Sequence, residues 1–355
     1  MRLSKKSIAI TSIIICLTFI TKQLTTKTYW IEKNYTTNIY PKLSEFFRLL
    51  LGWIPFSAGD TIALFLIAYV IYIGFKLIKK RISIASFLTQ IISLLAILYC
   101  CFYFFWGFNY FRAPLAEKLN IQQAKYTTDE LVNTTTKIIT KLNEQHCLLT
   151  QNDTLVVQPL SISEIFEKAP EGYDSIEKKH PDLAYKHASI KKSLVSYMHM
   201  YTGTSGYFNP ITGEAQVNDL IPKTGMPATT CHEMAHQIGW SAENDANFIS
   251  FLTCKANSNP HFKYSGYRMA FIYLIREVRK RDKIKEGELW LSLNKGIIKD
   301  LKNTREYWQQ FKNPIEPLID KGYNSYLKAN NQTSGIQSYS YVVDLLIAYD
   351  KQQSL

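Results

Sequence analysis

The chain has 355 residues, 46% of them apolar and 20% charged, enough for one large or two modest domains with a real core. Its net charge of +12 is unevenly placed: residues 1–112 hold 13 Lys+Arg against 3 Asp+Glu, the remainder 28 against 26. A nucleic-acid binder concentrates basic charge on its folded part, whereas this excess flanks apolar runs, so nucleic acid is set aside as a partner and a lipid bilayer is favoured.

Three segments read as transmembrane helices. The first, about residues 7–21, follows the basic leader Arg2, Lys5 and Lys6 with no small-x-small cleavage site after it, as an uncleaved anchor does. The second and third, about residues 61–78 and 84–106, approach the ~20 apolar residues needed to cross a bilayer. Lys76, Lys79, Lys80 and Arg81 crowd the turn between them. Placing both basic clusters in the cytoplasm predicts residues 107–355 outside, although Lys22, Lys27, Lys33, Lys42 and Arg48, spread along the first loop, vote the other way. The stretch Phe46 to Phe56 is too short to span and is expected in the interface, with Trp53 at headgroup level. The expected division is therefore a membrane domain, 1–112, and an extracytoplasmic domain, 113–355.

Beyond Arg112 the sequence is mixed and globular, and its pattern predicts a mainly helical α+β domain. Residues 127–150 form a helix in this reading, Thr128 and Asp129 supplying its cap and acidic first turn. Further helices fall in 160–200, interrupted by Pro170 and Pro181. Glu214 to Asn218 alternates as a short strand. Two helical stretches lie between Thr229 and Lys255, separated near Gly239, and the tail offers helices at about 264–282, 297–312 and 336–350. Cys147, Cys231 and Cys254 lie outside the apolar spans; one disulfide among them or buried free thiols are both open.

The chemistry concentrates in Thr229-Thr230-Cys231-His232-Glu233-Met234-Ala235-His236-Gln237-Ile238-Gly239. Four residues apart on a helix, His232 and His236 project from nearly one face and can share one Zn²⁺. Glu233 is rotated off the metal but within reach of a water beside it, which is the position of a general base. A catalytic zinc needs a third protein ligand. Gly239 can end the first helix and Ser241 can cap a second, whose first turn carries Glu243; Asp245, on a different face, is the competing candidate. His146, His180, His187, His199 and His261 show no ligand spacing.

HExxH followed by Glu243-x-x-Ala246-Asn247 resembles the gluzincin class of zincin metallopeptidases, in whose membrane members the Glu of such a motif is the third ligand. The spacing departs from that class, where the second motif lies much further on. The H-E-x-x-H-x-x-G opening is similar to metzincins, but their third ligand would fall at Ala242, which cannot bind zinc. With the three spans, Ile54 to Asp60 and Trp106 to Arg112, the chain resembles a family of bacterial zincin-like membrane proteins over nearly its whole length. The resemblance implies a membrane-anchored zinc metallopeptidase of the bacterial cytoplasmic membrane, its catalytic domain periplasmic, hydrolysing a peptide or protein substrate with Glu233 as base. A zinc-binding sensor or scaffold module that cleaves nothing is the rival. A zincin also offers an edge strand for an extended peptide; Gly213 to Asn218 is the candidate, an ordinary sheet edge the alternative. For a donor to the developing oxyanion the candidate is Tyr339, simple packing of Tyr339 and Tyr341 being the alternative.

Overall fold

The computed structural model describes the backbone of residues 5–353 and side chains from Ile15 onward. The fold is mainly α with one small sheet. Helices α1 (Lys5–Leu24), α2 (Thr28–Trp30), α3 (Tyr40–Leu51), α4 (Ala58–Ile78) and α5 (Ile84–Phe105) come first, with a π-helical stretch, Ile31–Ile39, leading into α3. A short α6 (Leu115–Lys118) precedes α7 (Thr128–Thr150) and α8 (Ile162–Glu177). Strand β1 (Ile190–Lys192), α9 (Ser196–Tyr201), β2 (Gly206–Asn209) and β3 (Glu214–Val217) lead to α10 (Met226–Gln237) and α11 (Glu243–Ala256). The chain ends with α12 (Pro260–Arg281), α13 (Lys283–Leu291), α14 (Lys295–Gln309), α15 (Glu316–Ala329) and α16 (Val342–Gln352).

Among the described residues two helices, not three, are long and apolar enough to cross a membrane: α4 and α5, of 21 and 22 residues. The first expected span falls in α1, much of it outside the described side chains, and what is described there is a shorter apolar helix, Ile15–Leu24. A soluble protein's core helix would be mostly buried, but the apolar windows of α4 and α5 are 6% and 0% buried.

The apolar pair is bolted to the sheet. Ser57 Oγ accepts from Asp60 N (2.9 Å), and the buried Glu214 carboxylate of β3 accepts from Ala58 N (3.1 Å) and Gly59 N (2.7 Å). Orphan N–H groups and the positive end of the α4 dipole are thereby met by a fixed negative charge. Asp60 in turn accepts from Leu194 N (2.7 Å) and from the Tyr207 hydroxyl.

Strand order is β1-β3-β2, with β1 parallel and β2 antiparallel to β3. β3 is thus the centre of the sheet, buried at every position, and not the edge strand expected at Gly213 to Asn218. The free edge on the site side belongs to β2. Asn218 N donates to Ser205 O and Tyr207 pairs with Gln216, so the main-chain groups of Gly206 and Phe208 face away from β3.

The main core gathers α7, α8 and α10 to α12 with α16, around fully buried Met234, Trp240, Phe248, Phe251 and Phe271. A second cluster of Ile31, Tyr35, Tyr40, Tyr103, Trp106, Phe108 and Tyr110 fills the foot of α5. Helix α7 keeps its expected bounds, but its cap is Thr127, in a capping box with Glu130. Pro170 does not interrupt α8; it sits within the helix. All six cysteines are free, Cys231 and Cys254 buried.

Helix α8 meets α11 at Gly172, where a Cβ would stand 2.2 Å from Thr253 O. Gly172→Ala is expected to destabilise the fold by about 1–3 kcal/mol, read as a lower thermal-unfolding midpoint; an unchanged midpoint would mean this contact is not close-packed.

Candidate metal centre

Helix α10 carries the HExxH residues, and how it ends decides the site. Gly239, at φ +90°, donates to His236 O while Trp240 N donates to Ala235 O (3.1 Å), the paired bonds of a Schellman turn. The turn folds Trp240 back so that its carbonyl accepts from His236 Nδ1 (2.7 Å). That bond leaves Nε2 as the free nitrogen and fixes the ring. The chain then enters α11 with Glu243 at its first position. The N-cap of α11 is Ala242, with no side-chain cap; Ser241, expected in that role, has a buried hydroxyl without a partner.

Three donors converge. His232 Nε2 and His236 Nε2 lie 3.1 Å apart, and Glu243 Oε2 lies 3.2 Å from the first and 3.5 Å from the second. Ligand atoms 2.0–2.1 Å from a tetrahedral ion stand about 3.3–3.4 Å from one another. The group therefore fits a divalent metal ion without rearrangement. His236 and Glu243 side chains are 6% and 5% exposed, whereas His232 keeps 12%, so the opening lies at His232.

The electrostatics agree. Burial alone would depress His236, but the Glu243 carboxylate outweighs it and lifts the imidazole to about 9. Burial alone would raise Glu243, yet the two imidazoles hold it well below the usual carboxylate range. Burial pushes Glu233 up to about 7. Its Oε2 is buried without a hydrogen-bond partner, and a Cβ on Gly206 of β2 would stand 2.7 Å from its Oε1. Gly206, with no Cβ, leaves the Glu233 carboxyl its place as it stands.

Asp245, the competing ligand, turns elsewhere: it accepts from Leu115 N (3.2 Å), and burial lifts it to about 6. Tyr339 does come to the site, its hydroxyl 3.0 Å from that of Tyr323. Tyr323, which the sequence did not single out, donates to Glu243 Oε1 (2.9 Å) and so holds the oxygen that does not face the imidazoles. Its helix, α15, had no sequence signal beyond ordinary amphipathicity, and one tyrosine among 23 is not distinguished by type.

The last carbonyls of α10 and of the turn after it are gripped from the N-terminal part of the chain. Gln237 O accepts from Tyr40 (3.0 Å), from Ser44 and from Arg48 Nη1 (3.3 Å), which are spaced four apart on one face of α3. His236 O accepts from Trp106 Nε1 (3.2 Å), and Gly239 O from Arg112 Nη1 (2.8 Å). Two guanidinium groups thus sit at the negative end of the helix dipole. Trp106 also presents its ring edge-on to His236, centroids 5.9 Å apart.

A family described as "Protein of unknown function (DUF3810)" matches residues 35–347. The chain belongs to this DUF3810 family. The matched range takes in the α3 clamp, both apolar helices and the three side chains of this DUF3810 chain that could hold a metal ion. No curated protein and no solved structure matches it.

Tyr323→Phe removes the donor to Glu243 and should weaken divalent-metal affinity by about 10–100-fold, measured by competition with a fluorescent chelator. An unchanged affinity would show that Glu243 needs no such support. His232→Ala should leave the purified full-length protein without stoichiometric metal by elemental analysis, whereas wild type retains it.

Proposed function

We propose that this protein is a membrane-anchored zinc metallopeptidase, held by α4 and α5 with the metal centre on the extracytoplasmic side. The observation that carries the reading is the fit of His232 Nε2, His236 Nε2 and Glu243 Oε2, 3.1–3.5 Å apart, to one tetrahedral ion beside an unpartnered, buried Glu233 carboxylate. His232, His236 and Glu243 would hold the ion. Bound zinc supplies Lewis acidity, lowering the pKa of a water and polarising a carbonyl.

The rest falls to the chain's own groups. Glu233, lifted to about 7 by burial, is suited to take a proton from the attacking water and return it to the leaving nitrogen as the C–N bond breaks. Its neighbour β2 offers the outward-facing main chain of Gly206 and Phe208, along which an extended peptide can add as a further strand. Tyr339, whose hydroxyl lies beside that of Tyr323 on the Glu243 side, is the candidate donor to a developing oxyanion, since the one proton of Tyr323 is held by Glu243.

The rival, a zinc-binding sensor or scaffold that cleaves nothing, draws support from the narrow opening, only His232 being more than a tenth exposed among the three ligands. Glu233→Gln separates the two. In full-length protein offered a peptide library, this variant should keep its zinc yet lose hydrolysis by about 10²–10⁴-fold, read by mass spectrometry of the products. Hydrolysis at the wild-type rate would remove Glu233 from the role of base; a zinc-loaded wild type that cleaves no peptide would favour the sensor.

A further inference from the structure

An exposed apolar collar surrounds the first turn of α4. Trp53 is 79% exposed, Met198 67%, Tyr197 63%, Leu194 50% and Phe56 49%. They come from two separate stretches of chain, and specific bonds bring both to one place. Leu194 N donates to Asp60 on the first turn of α4 (2.7 Å). Lys191, just before it, donates through Nζ to Gly52 O (2.7 Å) and to Ile54 O, the carbonyls on either side of Trp53.

In water such a collar carries a cost of about 25 cal/mol per Å² of apolar surface, and contiguous apolar patches of this kind mark contact surfaces. What covers it is indicated by what it adjoins. The exposed surface runs on down α4 through Ile62 (41%) and Phe65 (71%). Two of the charges at the junction are turned inward, Asp60 being buried and Lys191 spent on two carbonyls, while Lys192, two positions before Leu194, stays exposed, a charge compatible with lipid headgroups. Trp and Tyr are also the residues that settle at a lipid–water boundary. The opposite face of α3, with Tyr40, Ser44 and Arg48, is already committed to α10.

We infer that the segment Leu194 to Met198, together with Trp53 and Phe56, rests in the outer leaflet of the bilayer that α4 enters, so that the protein docks its sheet against the lipid surface. The inference rests on the membrane reading above and not on the hydrolytic one. It also positions the site. Tyr207 of β2 binds Asp60 at the collar while its neighbour Gly206 lies against Glu233, so the strand that flanks the metal centre stands at the bilayer surface. A polypeptide reaching Glu233 along β2 would then do so beside the lipid headgroups.

Full-length protein in phosphatidylethanolamine–phosphatidylglycerol nanodiscs tests this. A photoactivatable benzophenone amino acid is placed in turn at Met198, Trp53, Phe65 and Leu291, all exposed, the last 87% exposed on α13, which packs on α7 and α12. Mass spectrometry after illumination is expected to find lipid adducts at Met198 and Trp53 as at Phe65, and none at Leu291. Adducts at Phe65 with Met198 as lipid-free as Leu291 would overturn the collar alone. Lipid-free Phe65 would overturn the membrane reading with it. Crosslinking from Met198 to a second protein chain in place of lipid would assign the patch to a protein partner and overturn the inference.

Discussion

Two imidazole nitrogens and a carboxylate oxygen within 3.5 Å of one another cannot all keep bare lone pairs in a buried place. Something positive has to sit among them. Without a metal ion it is a proton, and the elevated His236 registers that demand. The rest of the site is arranged around this constraint. Trp240 O fixes which His236 nitrogen faces inward, Tyr323 holds the outer oxygen of Glu243, and Gly206 leaves room for Glu233 close by.

The rigidity of this arrangement comes from the far end of α10. A 12-residue helix carrying two side chains of a candidate metal site cannot hold them in place if its last turn frays, because both histidines lie in its C-terminal half. Here the terminal carbonyls accept from Tyr40, Ser44, Arg48, Trp106 and Arg112, all of which precede residue 113. The two guanidinium bonds contribute about 1.5–3 kcal/mol each and the three neutral ones about 0.5–1.5 kcal/mol each. Trp106 is the link between the two halves, since it closes α5 while touching both His236 and the Phe208 ring of β2. The sheet makes the complementary connection, Glu214 capping α4 from its other face.

Much of this was legible in the sequence where the signal is local. The i, i+4 pair His232 and His236, the break at Gly239, and Glu243 opening the next helix follow from helical periodicity and the conformational freedom of glycine. The apolar helices α4 and α5 are visible as composition. Other local readings slipped by a residue or two because several polar residues competed for one role. Thr127 took the cap assigned to Thr128, and Ser241 capped nothing. The central position of β3 was out of reach, since its partners β1 and β2 are three and four residues long and carry little pattern of their own.

The sequence by itself determined that one helix would present two imidazoles on one face with an acid between them, and that two further segments would form long apolar helices, because both depend on residues a few positions apart. Only the tertiary structure decided which acid completes the trio, which tyrosine supports it and what holds the helix end. Those choices rest on contacts such as Tyr40 to Gln237, 197 positions apart, and Tyr323 to Glu243, 80 apart. No periodicity spans such distances; they are fixed by packing, where a donor finds an orphan carbonyl only after the core has closed.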